Sequence, residues 1–336
     1  MTIDDRTAMR RIRTTRRIAT AVLAVSTLLL AGCGGGGGSA AQPAADGTVA
    51  INVGETPGIP QLFMQFGVDK GFYKDEGLNV TVTPIPGGSQ QVTSVLSGAT
   101  DLTGNDVVTW VNARAQGLPL SLVGPGSAAT ADPKADFSTV QVPADSPIKK
   151  PGDLAGKTIA VNNLNNIGTI TIRGALDKAG IDSSQVKFVE VGFPDMLAAL
   201  AKQSVDAIWI IEPFSSIGLA KGNRAIMYPY AEYDPSMQIG LIATSTKWAA
   251  ANPDAVTKFQ KAHTRTADYV AKNPDEFKAA LAKLQGVPAE KVAGVSLPVW
   301  NQNVDFGSMQ QVAESMVKYG ILTAVPNIKD NVLPGA

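Results

Sequence analysis

Leu78-Asn79-Val80-Thr81-Val82-Thr83-Pro84 alternates apolar and polar residues, breaks at Gly87-Gly88, and resumes from Ser89 to Leu96 with helical spacing. Period-two alternation followed by a glycine break and a capping serine predicts a strand, a tight turn and a helix that starts at Ser89. The same unit recurs outward from this stretch. Val49-Ala50-Ile51-Asn52-Val53 reads as a strand, Gly54 to Pro60 as a break, and Gln61 to Lys70 as a helix. Strands are expected again at 120–123, 139–142, 158–161, 186–191 and 207–211, with helices at Thr169–Ala179 and Asp195–Lys202 between them. Such alternation implies an α/β architecture with largely parallel sheets. From Pro253 the chain turns helical, over Pro253–Lys272, Pro274–Leu284 and Ser308–Tyr319. The first two open on Asn-Pro, with proline at the first helical position.

The N-terminus carries a different signal. Arg10, Arg11, Arg13, Arg16 and Arg17 precede a run from Ile18 to Leu30 that is too short, at about 1.5 Å per residue, to cross a bilayer core of roughly 30 Å. A basic region, a short apolar stretch and small residues beyond it describe a signal peptide over residues 1–32, with Arg16-Arg17 leaving the twin-arginine route open. The run ends Leu30-Ala31-Gly32-Cys33, which resembles the bacterial lipobox, and Cys33 is the one cysteine in the chain. That resemblance implies cleavage before Cys33 and its acylation, which would hold the protein on the outer face of the cell membrane. Gly34 to Gly47 has almost nothing to bury and reads as a flexible tether with a reach of roughly 20 Å. With six Arg and two Asp assigned to the leader, the rest holds 23 basic and 27 acidic residues, a net charge of −4. Nothing in that balance suits nucleic acid.

Four stretches carry a family resemblance, in order along the chain. Asp69-Lys70-Gly71-Phe72-Tyr73-Lys74-Asp75-Glu76-Gly77-Leu78-Asn79-Val80 resembles a signature of ABC-transporter solute-binding proteins for nitrate, sulfonates, taurine and thiamine pyrimidine precursors. Ser97-Gly98-Ala99-Thr100-Asp101-Leu102 and Asp153 to Val161 are similar to two further segments of that family. Met196 to Leu200, with Val205-Asp206-Ala207 and Glu212-Pro213-Phe214, is similar to a fourth. The resemblance implies a two-lobed type II periplasmic binding fold, a Venus flytrap with two hinge crossovers. The first lobe would take 48–142 and 238–336, the second 143–237, with crossovers near Ala144–Lys150 and Ser236–Leu241. It implies capture of a small organic anion of the sulfonate or taurine type and delivery to a permease and its ATPase. A thiamine pyrimidine precursor or similar heterocycle is the alternative. A monomer without cofactor or metal is expected.

In open parallel sheets ligands sit beyond the carboxyl ends of the strands. That rule points to Gly87, Gly88, Ser89 and Gln90, to Asn105 and Asp106, to Asn162, Asn166, Gly168 and Thr169, and to Glu212. The glycine pair lets backbone amides approach an acidic group at a helix start. Trp209, Phe193 and Phe214 stand as core residues or ring platforms. The loops carry Glu55, Asp106 and Glu212 but no lysine or arginine, so Asp106 or Glu212 could meet an amine on the ligand, or could cap helices and pair with hinge residues. A related fungal enzyme of the same fold consumes its own histidine. The one histidine here, His263, has Lys258, Gln260, Lys261 and Arg265 beside it and is expected to be exposed. No Cys/His metal spacing or Gly-x-Ser-x-Gly elbow occurs, which argues against an enzyme.

Overall fold

The computed structural model describes residues 47–336 except 287, 289, 291 and 293; the leader, most of the tether and Cys33 lie outside the described residues. The chain begins with β1 (Val49–Glu55), α1 (Ile59–Asp69), α2 (Phe72–Asp75), β2 (Leu78–Pro84), α3 (Gly88–Ser97), β3 (Leu102–Asp106), α4 (Val107–Ala115), β4 (Leu120–Pro125) and the two-residue β5 (Ser127–Ala128). It continues through β6 (Ser138–Val142), β7 (Thr158–Val161), α5 (Ile167–Lys178), β8 (Lys187–Glu190), α6 (Phe193–Ala201), β9 (Ala207–Ile211), α7 (Phe214–Ala220), β10 (Arg224–Met227) and α8 (Pro229–Tyr233). It returns with β11 (Gly240–Ser245), α9 (Thr246–Ala251), α10 (Pro253–Lys272), α11 (Pro274–Gln285), β12 (Val299–Trp300) and α12 (Phe306–Lys318).

Two five-stranded sheets result, ordered β2-β1-β3-β11-β4 and β10-β6-β9-β7-β8. Within each, one strand runs against the others: β11 pairs antiparallel with β3 and β4, and β6 with β9 and β10. These are the two strands by which the chain enters each sheet after crossing over. Sheets covered by helices on both faces bury whole strands, which is why β9 reads Ala-Ile-Trp-Ile-Ile without a polar residue.

One lobe boundary differs from expectation. β6 was expected in the first lobe, yet Thr139 sits opposite Ile210 and Gln141 opposite Ile208 in the second sheet. The first crossover therefore precedes Ser138, and the expected hinge at Ala144–Lys150 lies inside the second lobe, where Arg224 donates to the carbonyls of Ala144, Ser146 and Ile148. The outgoing and returning chains run side by side: Ala129 N donates to Met237 O at 2.8 Å and Ile239 N to Ser127 O at 2.9 Å.

Two other expectations change. Ser89 does not cap α3; Gly87 holds that position without a side-chain cap, and Ser89 lies inside the helix. His263 is buried, 7% exposed. α10 turns Ala255, Val256, Phe259, Ala262, His263, Thr266 and Val270 inward at helical spacing, and the polar neighbours fall on the opposite face.

Candidate functional site

The carboxyl ends of the parallel strands from both sheets converge on one cavity of about 80 Å³. The first lobe contributes Glu55 and Thr56 after β1, Gly88 at the start of α3, and Gly104, Asn105 and Asp106 at the end of β3. The second contributes Asn162 and Asn166 after β7, Phe193 at the start of α6, and Trp209 and Ile211 from β9. The lobes are shut on each other around it. Asn162 Nδ2 donates to Pro86 O at 3.0 Å, Ser89 Oγ to Asn163 Oδ1 at 3.3 Å, and Ile59 N to Glu212 O at 2.8 Å.

Of the residues expected from sequence, the structure brings Gly88, Asn105, Asp106, Asn162 and Asn166 to the cavity wall. It does not bring Gly87, Ser89, Gln90, Gly168, Thr169 or Glu212 there. Gly87 is buried against Asn163 of the other lobe, and Gln90 is exposed. Gly168 packs under the Trp209 indole, so closely that a Cβ built there would lie 2.5 Å from the ring. Thr169 takes part in the cap of α5, where Asn166 Oδ1 accepts from the amides of Gly168 and Thr169.

Glu212 was a candidate to meet a ligand's amine. Its oxygens are instead occupied by Ser216 N at 3.0 Å, Ser216 Oγ at 2.8 Å and Ser296 N at 3.2 Å. The first two close the start of α7; the third reaches the segment that follows α11, so Glu212 is a strut. Burial pushes its carboxyl up to about 7 against those donors. Glu212→Gln keeps one acceptor oxygen and should cost about 1–2 kcal/mol at pH 5, where the folded protein holds the acid protonated, read as a lower melting temperature there. It should weaken amine-bearing and amine-free ligands by the same factor; selective loss of the amine-bearing ones would return Glu212 to the binding site.

Asp106 does border the cavity, but as a cap. It accepts from Thr109 N at 3.1 Å and Thr109 Oγ1 at 2.6 Å, and from the amide of Ile167 across the cleft. Burial raises its pKa against those bonds. Glu55, 4% exposed, is pushed by burial up to about 8, with one backbone bond from Thr56 opposing, so it holds its proton at neutral pH. His263 is pushed down to about 4 by the same cause and is neutral. Among the described residues, no lysine or arginine lines the cavity.

Rings make up much of the wall. Phe63 stacks on Trp300 at 4.4 Å and 14°, and meets His263 edge-on at 5.2 Å. Phe193 and Tyr230 flank Trp209 at 5.4 and 6.0 Å. Phe63, Phe137, Tyr230 and Trp300 were not among the residues expected from sequence. An Ile59, Phe63, Phe66 stripe on α1 reads as core, and only the distant partners show that its cavity end is a binding wall.

The fold is that of known binding proteins. The alkanesulfonate-binding protein SsuA from Xanthomonas axonopodis pv. citri, solved bound to MOPS, superposes with a TM-score of 0.72 at 18% identity, over 84% of this chain and 98% of that one. The likeness establishes the two-lobed periplasmic binding fold. A formylaminopyrimidine-binding protein of Halalkalibacterium halodurans is 21% identical over 305 residues, covering 87% of this chain and 89% of its own. An Escherichia coli (strain K12) protein named for binding aliphatic sulfonates is 26% identical over 224 residues, 62% of this chain. A Candida albicans (strain WO-1) protein, named a 4-amino-5-hydroxymethyl-2-methylpyrimidine phosphate synthase, is 26% identical over 232 residues, 62% of this chain. The chain spans 63% and 62% of the length of these last two. The family model described as NMT1/THI5 like matches residues 62–277, well over half of the sequence, and the chain belongs to that family.

Proposed function

We propose that this protein is the extracytoplasmic solute-binding component of an ABC importer, and that its solute is a small, flat, uncharged heteroaromatic molecule. The observation that carries the reading is a cavity walled by rings and bordered by two acids, with no lysine or arginine on its lining among the described residues. An organic sulfonate, favoured by sequence resemblance alone, would gain most from a guanidinium or ammonium partner. It would find Asp106 and Glu55 instead. The free helix start expected to take its charge is largely occupied: the Gly87–Ser89 turn faces Asn162 and Asn163 of the other lobe, and Gly88 alone reaches the cavity. A flat ring, by contrast, can lie among Phe63, Trp300, Trp209 and Tyr230 in offset or edge-on contact. In this reading the solute is captured without turnover, and the neutral, ring-packed His263 serves as a wall residue.

A thermal-shift screen tests the reading, because a ligand that binds only the folded state raises the melting temperature. Heteroaromatic amines such as 4-aminopyrimidine should shift it by several degrees at saturation, and taurine, alkanesulfonates and nitrate by much less. Stabilisation by the sulfonates or nitrate alone would overturn it. Delivery to a permease and its ATPase, and anchoring through an acylated Cys33, belong to the same proposal. Cys33→Ala should release the protein into the soluble fraction or leave the precursor uncleaved; full processing and unchanged membrane association would count against the anchor.

A further inference from the structure

Buried polar atoms without partners are rare in folded proteins, and each leaves a desolvation cost uncompensated. Among the described residues, six buried side-chain atoms have none: Asn105 Nδ2 and Oδ1, Trp209 Nε1, His263 Nε2, Trp110 Nε1 and Arg114 Nε. The first four belong to three residues that line the one ring-walled cavity; Trp110 and Arg114 lie elsewhere and face each other in a cation–π contact. Chance would not gather them in this way.

Asn105 is the sharpest case. It stands near the end of β3, 6% exposed, and both ends of its carboxamide are unbonded. Three polar side chains on the same wall are already engaged. Asp106 caps α4, Asn166 caps α5 and donates to Asn162 Oδ1 at 2.6 Å, and Asn162 Nδ2 is held by Pro86 O. We infer that Asn105 is the specificity-determining residue of the site, reading a solute edge that sets a hydrogen-bond donor beside an acceptor, as an amino group next to a ring nitrogen does. This rests on the heteroaromatic reading above and narrows it to amidine-type edges.

The chemistry follows from the carboxamide. Oδ1 accepts and Nδ2 donates, a fork that matches an exocyclic amine and an adjacent ring nitrogen, much as Asn takes an amine and a ring nitrogen on the major-groove edge of adenine. A sulfonate or nitrate offers acceptors only: it satisfies Nδ2 and sets its own lone pairs against Oδ1. The lone donor Trp209 Nε1 lies on the same wall, available to a further heteroatom of the ring.

The test compares two probes of one shape, 4-aminopyrimidine and 4-methylpyrimidine, by calorimetry on the purified protein. Wild type should prefer the amine by roughly 10- to 100-fold, since one net hydrogen bond and one avoided orphan at Asn105 Oδ1 are at stake. Asn105→Leu should remove that preference. It should also raise the melting temperature of the unliganded protein, because a buried amide without partners is replaced by an apolar side chain of similar size. Asn105→Ala, which asks less of the surrounding packing, should equally abolish the preference. Equal affinity of wild type for the two probes, or a preference that survives either substitution, would overturn the role of Asn105 and leave the heteroaromatic reading standing. Binding of neither probe, with alkanesulfonates bound instead, would sink both.

Discussion

Glu55→Gln is expected to flatten the fall in stability of the unliganded protein between pH 4.5 and about 8. The Glu55 carboxyl is buried between β1 and β3, and a Cβ at Gly104 would overlap it. Burial raises its pKa from 4.5 to about 8. An acid raised on folding binds its proton more tightly in the folded protein than in the unfolded chain. Its contribution is therefore complete below pH 4.5, declines as the pH rises to about 8, and stays lost above that. The shift corresponds to something on the order of 4–5 kcal/mol across the window. Gln keeps the shape and an acceptor for Thr56 N but cannot ionise. His263 works in the opposite sense: held down to about 4, it destabilises as the pH falls below 6.5, so the acid side should be unaffected by the Glu55 variant. Urea titrations at pH 5 and pH 8.5 read the effect. A variant-to-wild-type difference that is the same at both would show that Glu55 is not buried as a neutral acid.

Trp209→Ala is the second substitution with a large expected cost, about 3–5 kcal/mol of stability. The indole is 2% exposed, wedged between Phe193, Tyr230 and the backbone of α5 at Gly168, where no side chain would fit. A close-packed site of this kind cannot collapse to fill the void, which places the loss toward the upper end of the usual range. Trp209→Phe should retain most of the stability, and the difference between the two variants isolates ring area from the Nε1 donor. Because the same face borders the cavity, Trp209→Ala should also weaken 4-aminopyrimidine by tenfold or more, with Trp209→Phe intermediate. Denaturation and calorimetry on the same preparations separate the effects. A cost near 1 kcal/mol for Trp209→Ala would mean that the indole is peripheral to the core.

How much of this could be read beforehand depends on sequence distance. The β2–α3 stretch and its neighbours are local patterns, and strand, break and helix appear within a residue or two of their expected bounds. The family segments did the rest for the architecture. Partner choice is not local. Thr139–Val142 is a strand whichever sheet it joins, and the residues opposite it at 208–211 lie some seventy positions away. Glu212 looked like a cleft carboxylate because its partner Ser296 comes 84 residues later. Part of the cavity wall escaped for the same reason: Phe63 and Trp300 lie more than two hundred positions apart, and each alone reads as core. For His263 the signal is local, since the inward positions of α10 fall at regular helical spacing, but the charged neighbours in sequence belong to the opposite face. The loop positions at β3 and β7 were found because the carboxyl-end rule needs only strand direction.

The two chains that join the lobes are bonded to one another along Ser127–Ala129 and Met237–Ile239. A pair of separate tethers would let the lobes slide, twist and splay. A bonded ribbon is stiff against all three and soft only to flexing across its width. Opening is thereby confined to a single arc, like the cover of a book on a stitched spine. The rim that meets at Asn162 and Pro86 would then return to the same alignment at each closing. Under the importer role proposed above, the angle between the lobes alone would report a bound solute, and a membrane partner touching both lobes would need no contact with the cargo.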